Sequence, residues 1–262
     1  MVIYPKSKKR LGQVFLINER VAEAEAVHCK GKNVLEIGPG RGMLTRKLCE
    51  NAKHVVAVEY DAELCEMLHS TMQYDNLKLI NGDFFRLKGN VAADYGIEIM
   101  ISNVPYNLSS KTVEWLMEKQ MQAVLCLQKE FVGHMLARAG SHNYSRLSVM
   151  SALQFRITKI MDVKRGNFRP VPRVDSAIIY LKPLKSTVSA GESGMINLLM
   201  QHKKKPLRNA FIDSRRQMGL RKQRAYELAG KLQSCNSRVF TMEPAEILAA
   251  ARQAMVMLLQ KE

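Results

Sequence analysis

Asn103, Val104, Pro105 and Tyr106 follow one another at the end of the apolar run "IEIMIS". An amide, a rigid imino acid and an aromatic ring have distinct chemical uses. The Asn103 side-chain oxygen and the Pro105 carbonyl accept hydrogen bonds, and Tyr106 offers a flat face for stacking. A planar ring bearing an exocyclic amine fits this set. Two acceptors on such an amine favour a pyramidal nitrogen, whose lone pair can then attack an electrophilic methyl group. Asn is not a base, so the proton leaves after transfer, to water. Hydride transfer has no use for the arrangement. Asn and Pro also end strands as plain turns, so the reading depends on what else the chain brings to the same place.

Three motifs upstream supply it. "LEIGPGRGMLT" sets a glycine-rich turn between an apolar strand and a helix, and Gly38, Gly40 and Gly42 allow close backbone approach. The spacing is G-x-G-x-G, short of the full dinucleotide fingerprint. Glu59 ends the next strand, "HVVAVE", 21 positions after Gly38, where an acid can accept both hydroxyls of a ribose. Asp83, after "NLKLING", can accept from an adenine amino group, and Phe84 adds a backbone N–H and an apolar wall. In series these trace one ligand along the carboxyl edge of a sheet. The three motifs alone allow a nicotinamide dinucleotide or S-adenosylmethionine, and the amine clamp favours the second.

The elements that must hold these residues follow from periodicity. From Lys30 to about Leu181 short apolar strands alternate with amphipathic helices, the pattern of an α/β, doubly wound, mostly parallel sheet. Two late β-rich runs, "SVMSALQFRITKIMDV" and "SAIIYLKPL", bring the strand count to seven, the last two forming a hairpin. "KRGNFRPVPRVD" between them holds too much Pro and Arg for a helix. We expect a Rossmann-like domain over residues 1–182 and a small all-α domain over 183–262.

The 262-residue chain carries 40 Lys and Arg against 24 Asp and Glu, a net charge of +16 that favours a polyanionic partner, nucleic acid before an anionic membrane. Residues 183–262 hold 14 basic and 6 acidic side chains, and His202 to Arg224 alone holds 9 and 1, so the second domain's whole excess sits in that segment. Leu207, Ala210, Phe211 and Met218 recur at helical spacing, which leaves Arg208, Arg215 and Arg216 to project away from the apolar stripe. With Lys203, Lys204, Lys205, Arg221 and Lys222 they form the expected RNA-binding set. The five scattered cysteines include no CxxC pair, and the six histidines no HExxH, so neither a disulfide framework nor a metal site is expected, and the setting is a reducing cytoplasm. No apolar run approaches a membrane span.

Six motifs in order, "RLGQVFL", "EIGPGRGMLT", "NVPYNLSS", "LQKEFVGHMLA", "YSRLSVM" and "FRPVPRVDSAI", resemble the small-subunit ribosomal RNA adenine dimethyltransferases of the kasugamycin-resistance type, over nearly the whole chain. The resemblance implies transfer of two methyl groups from S-adenosyl-L-methionine to N6 of each of two adjacent adenosines, in a hairpin loop near the 3′ end of small-subunit rRNA. It implies that Gln13 and Leu16 close the methionine end of the cofactor, with Gly38 and Gly40 beneath it. Glu59 is implied on the ribose, Asp83 with Phe84 on the adenine, and Asn103 on the target amine. Phe168 is implied opposite Tyr106, making an aromatic sandwich around a flipped base; unaided, the sequence reads Phe168 as packing. Val14 replaces a polar residue of the family and leaves only backbone contacts there. Val104 replaces Leu, and His134 stands where Arg is usual. A monomer acting on rRNA within the immature small subunit is the expected setting. The rivals are a large-subunit rRNA adenine methylase of the macrolide-resistance type, a non-catalytic ribosome-assembly or transcription factor on the same fold, and a DNA adenine methylase.

Overall fold

The computed structural model describes residues 5, 7–8, 11–185 and 188–260. By internal contacts they form two compact units: the described residues up to Val132 together with Ile157–Pro183, and Gly133–Arg156 together with those from Leu184 onward.

In the first unit, β1 (Phe15–Leu16) and α1 (Glu19–Ala26) precede a run of alternating elements. These are β2 (Asn33–Ile37), α2 (Met43–Asn51), β3 (His54–Glu59), α3 (Ala62–Thr71), β4 (Leu77–Asn81), α4 (Val91–Asp94), β5 (Ile99–Ser102), α5 (Ser109–Lys119) and β6 (Gln122–Gln128). α6 (Lys129–Met135) begins in this unit, α7 (Arg146–Gln154) lies in the other, and β7 (Phe155–Val163), β8 (Phe168–Arg169) and β9 (Ser176–Pro183) complete the strands. Seven strands form one sheet in the order β4-β3-β2-β5-β6-β9-β7. β2 to β6 pair in parallel and β9 runs antiparallel to β6. β9 and β7, the two late strands, are neighbours, as the hairpin reading expects. β5 is buried throughout, and β3 from Val55 onward. Burial on both faces is why these strands read as continuous apolar runs and not as alternations.

Chain order reverses at β2, which has β3 on one side and β5 on the other. In open α/β sheets that switch point is where ligands bind, outside the carboxyl ends of the strands. Ser102 reinforces it: its buried hydroxyl donates to the Ile37 carbonyl at 2.7 Å, tying the end of β5 to the end of β2. Gly38 and Asn103, the next residue of each strand, are thereby neighbours. A separate two-stranded ribbon pairs β1 with β8, Leu16 opposite Phe168, and draws the N-terminal segment to the same edge.

The structure departs from the sequence reading in three places. The first half of "SVMSALQFRITKIMDV" is helical, belonging to α7, and only Phe155–Val163 is a strand. Arg146–Gln154 contains one β-branched residue among good helix formers, and a Ser145–Ser148 capping box starts the helix. The second unit is not confined to residues after 183: besides the segment from Leu184 it takes Gly133–Arg156 from within the expected 1–182 domain. Tyr144, fully buried, explains part of this: its hydroxyl donates to the Met242 carbonyl at 2.9 Å. Finally, the helical stripe expected through Met218 stops at Asp213. α8 (Ala190–Gln201) and α9 (Leu207–Asp213) are followed by a 3-10 turn, then α10 (Lys222–Lys231) and α11 (Pro244–Leu259). Leu207, Ala210 and Phe211 are buried, whereas Met218 is half-buried beyond the helix.

Candidate active site

A cavity of about 320 Å³ opens at the switch point. Gly38, Asp83, Phe84, Pro105 and Leu108 line it, together with Tyr60, which is 60% exposed. Gly38 has φ +69°, and a Cβ there would lie 3.3 Å from Pro105 Cγ, so only glycine keeps the gap between the two turns open. Asp83 Oδ1 accepts from the Phe85 N–H at 3.0 Å, which fixes the turn after β4. Phe84 is held edge-on against Trp115 at 5.1 Å. An adenosine-sized ligand fits this donor set: an acid for an amine, apolar walls for a ring and a glycine cradle beneath.

A narrower cavity of about 50 Å³ lies beside it, lined among others by Gln13, Val14, Asn103, Tyr106 and Phe168. Gly38 and Pro105 line both cavities. Asn103 Nδ2 donates to Glu25 Oε2 at 3.2 Å, and no donor among the described residues reaches the buried Asn103 Oδ1. The Pro105 carbonyl already accepts from the Leu108 N–H at 2.8 Å, leaving its second lone pair. Tyr106 is held by a 2.8 Å hydrogen bond between its hydroxyl and that of Ser176, and burial raises its phenol above the ordinary value, keeping it neutral. Phe168 is buried, pairs with Leu16 in the β1–β8 ribbon and lines the same narrow cavity as Tyr106. Val104 is buried and also lines the narrow cavity, so its difference from Leu bears on the shape of that cavity as well as on packing.

Other expected residues have partners that the sequence did not disclose. Gln13 accepts from the Lys8 N–H at 2.6 Å and donates to Asp61 at 2.8 Å, pinning the segment before β1 to the start of α3. Leu16 and Val14 line a third cavity of about 30 Å³ with Gly40 and Asn103. Glu59 lines none of these three cavities; its two oxygens accept from the Gly40 N–H at 3.0 Å and the Asp61 N–H at 2.9 Å. Its carboxylate therefore braces the glycine turn against the end of β3, and any ribose contact would use the remaining lone pairs.

Sequence reasoning missed Glu25, Glu36 and Ser176. Glu25 left a signal: with Val21, Ala22 and Ala26 it lies on the buried face of α1, an acid on an apolar stripe. Glu36, 2% exposed within β2, is pushed up to about 8 by burial, and the nearby Glu59 charge adds to the effect. The unfolded chain releases this proton near its ordinary value of 4.5, the folded chain only near 8. Folding stability therefore falls as pH rises through that window, by up to roughly 1.4 kcal/mol per pH unit. Glu36→Gln has no proton to retain, so its unfolding free energy relative to wild type is expected to climb from pH 5 toward 8. Denaturant titrations of both proteins across that range check the slope.

In the helical unit the expected basic set divides. Lys204, Lys205, Arg208, Arg216, Arg221 and Lys222 are exposed. Lys203 donates to the Tyr144 carbonyl, Lys205 pairs with Asp213 at 2.6 Å, and Arg215 donates to the Ile212 carbonyl at 3.2 Å. His134 Nδ1 lies 3.0 Å from the Asn143 carbonyl oxygen. Among the described residues no three His, Cys, Asp or Glu gather as metal ligands, and no helix is long and apolar enough to cross a membrane.

Known proteins resemble the chain across both units. It is 32% identical over 243 residues to the probable ribosomal RNA small subunit methyltransferase A of Pyrococcus abyssi, covering 91% of this chain and 88% of that one. The corresponding Methanopyrus kandleri protein is 34% identical over 266 residues, covering 95% and 94%. A crystal structure of a dimethyladenosine transferase from Plasmodium falciparum superposes with a TM-score of 0.78 at 26% identity, over 92% of this chain and 96% of that one. The model of the ribosomal RNA adenine dimethylase family matches residues 5–234, and the chain belongs to that family.

Proposed function

We propose that this protein transfers methyl groups from S-adenosyl-L-methionine to N6 of two adjacent adenosines in a hairpin loop near the 3′ end of small-subunit rRNA. One observation carries the reading: Gly38 and Pro105 line both the larger cavity and the narrow one that contains Asn103, Tyr106 and Phe168. An adenosine in the first and a flat base in the second would meet at that shared wall. When bound, the cofactor supplies an electrophilic methyl group on a sulfonium centre. Asp83, Phe84 and Gly38 would hold its adenosine end, with Gln13, Val14, Leu16 and Gly40 around the methionine end and Glu59 bracing the turn.

The protein's own contribution is to hold and orient. Asn103 Oδ1 and the Pro105 carbonyl accept from the target amine and favour the pyramidal nitrogen that attack requires. Tyr106 and Phe168 receive the flipped ring between them, offsetting the stacking it loses in RNA. As the nitrogen–methyl bond formed, the methyl–sulfur bond would break and the sulfur would leave as a neutral thioether; the surplus proton would then pass from the nitrogen to water, because neither acceptor is a base. The basic set is proposed to contact phosphates, chiefly through its exposed members Lys204, Lys205, Arg208, Arg216, Arg221 and Lys222. The partner is proposed to be rRNA within the immature small subunit, bound by a monomer.

The test is incubation with methyl-labelled cofactor and one of four substrates: immature small subunits, mature small subunits, naked small-subunit rRNA or large subunits. Mass mapping of the adenosines follows. Label on two adjacent adenosines near the 3′ end, strongest with immature small subunits, is expected. Label confined to large-subunit RNA, or none, would overturn the assignment.

A further inference from the structure

Glu25 is fully buried on α1, 78 positions from Asn103, yet its Oε2 accepts from Asn103 Nδ2 at 3.2 Å. Its other oxygen has no donor among the described residues. Burial pushes its carboxyl well above the ordinary range. A buried acid without full pairing is a liability, and apolar replacements at such positions are often neutral or stabilising. Stability therefore gives no reason for an acid on this helix face.

Asn103 supplies one. The two ends of a carboxamide are nearly equal in size, so packing alone does not choose between them, and hydrogen bonds decide which end faces where. Only the oxygen is useful toward an amine, since an NH2 group would set donor against donor. An acceptor behind Asn103 holds the NH2 end and leaves Oδ1, buried and without a donor among the described residues, for the ligand. A carboxyl does this in either protonation state, because it always keeps one accepting oxygen.

We propose that Glu25 is a positioning residue for the methyl transfer inferred above: by accepting from Asn103 Nδ2 it fixes the amide with its oxygen available to the target nitrogen. This rests on the proposed function. It predicts that acceptor capacity at position 25 matters and charge does not.

Glu25→Gln retains an acceptor of the same reach, and Glu25→Met retains the length but removes it. With small subunits as substrate, Glu25→Gln is expected within about threefold of the wild-type kcat. Glu25→Met is expected to lose about tenfold or more, the scale of one preorganised hydrogen bond to a buried group. KM for cofactor and RNA should be unchanged in both. A readout independent of turnover is the Asn103 side-chain amide in protein labelled with 15N-asparagine, identified by its absence in Asn103→Ala. Slow hydrogen exchange in wild type and Glu25→Gln, lost in Glu25→Met, is expected. Wild-type kcat in Glu25→Met, or fast exchange at Asn103 in the wild type, would overturn the role. The second measurement decides even if neither variant folds. A wild type that methylates no RNA would instead overturn the function, and slow amide exchange would then leave the Glu25–Asn103 bond standing without its catalytic purpose.

Discussion

Asn103→Ala is expected to lower the rate of methyl transfer by about 10²–10³-fold, the usual cost of removing one preorganised polar group from a reacting centre. Cofactor affinity should stay within about threefold, on the same expectation that binding and transition-state terms separate. The asymmetry follows from where the residue stands. Asn103 lines the narrow cavity and the 30 Å³ one and is absent from the wall of the 320 Å³ one, where the adenosine end is proposed to bind. The substitution also strips Glu25 of its amide partner, so a loss of about 1–3 kcal/mol in folding stability should accompany it. Single-turnover transfer to small subunits, beside calorimetric titration of the cofactor, separates the quantities. An equal fall in affinity and rate would show that Asn103 holds the cofactor and not the amine.

Gly38→Ala should give the opposite signature. Its Cβ would stand 3.3 Å from Pro105 Cγ, on a wall that both cavities share, at a backbone φ of +69°. The left-handed conformation costs an L-residue roughly 1–2 kcal/mol of folding stability. The added methyl also narrows the cradle that the cofactor needs. Cofactor affinity is expected to fall by about tenfold or more, and kcat at saturating cofactor by less, because the added methyl meets the Pro105 ring and leaves the Asn103 side chain in place. Titration and saturation kinetics measure the two effects. Unchanged affinity would mean that the cofactor does not lie against the glycine turn.

Much of the machinery was legible residue by residue. The strands carrying Gly38, Glu59, Asp83 and Asn103 announce themselves as apolar runs, and each of these candidate residues sits at or just past the strand end. A buried parallel strand must be apolar along its length, so its end is marked by the first polar or turn-forming residue. Where the local signal was mixed the reading slipped. The "SVMSALQ" stretch joins a continuous apolar run to β7, but its backbone is helical because a serine capping box and straight-chain residues prefer that state. In the basic segment Lys203, Lys205 and Arg215 are engaged by a carbonyl, a carboxylate and another carbonyl within their own unit. Composition counts charges and does not see their partners.

By itself the sequence determined the α/β alternation, the glycine turn, the acids at the strand ends, the Asn103 to Tyr106 corner and the family to which these belong. Those features are written within a few residues of one another, where backbone preference and strand burial act directly. Only the tertiary structure decided that Ser102 would tie β5 to β2, that Leu16 would pair with Phe168, and that Glu25 would stand behind Asn103. Each of these meetings joins residues 65 or more positions apart, and strand order and crossovers bring them together. Hydrogen bonds between such distant partners leave no periodic trace along the chain, because neither partner's neighbours need change for the bond to form.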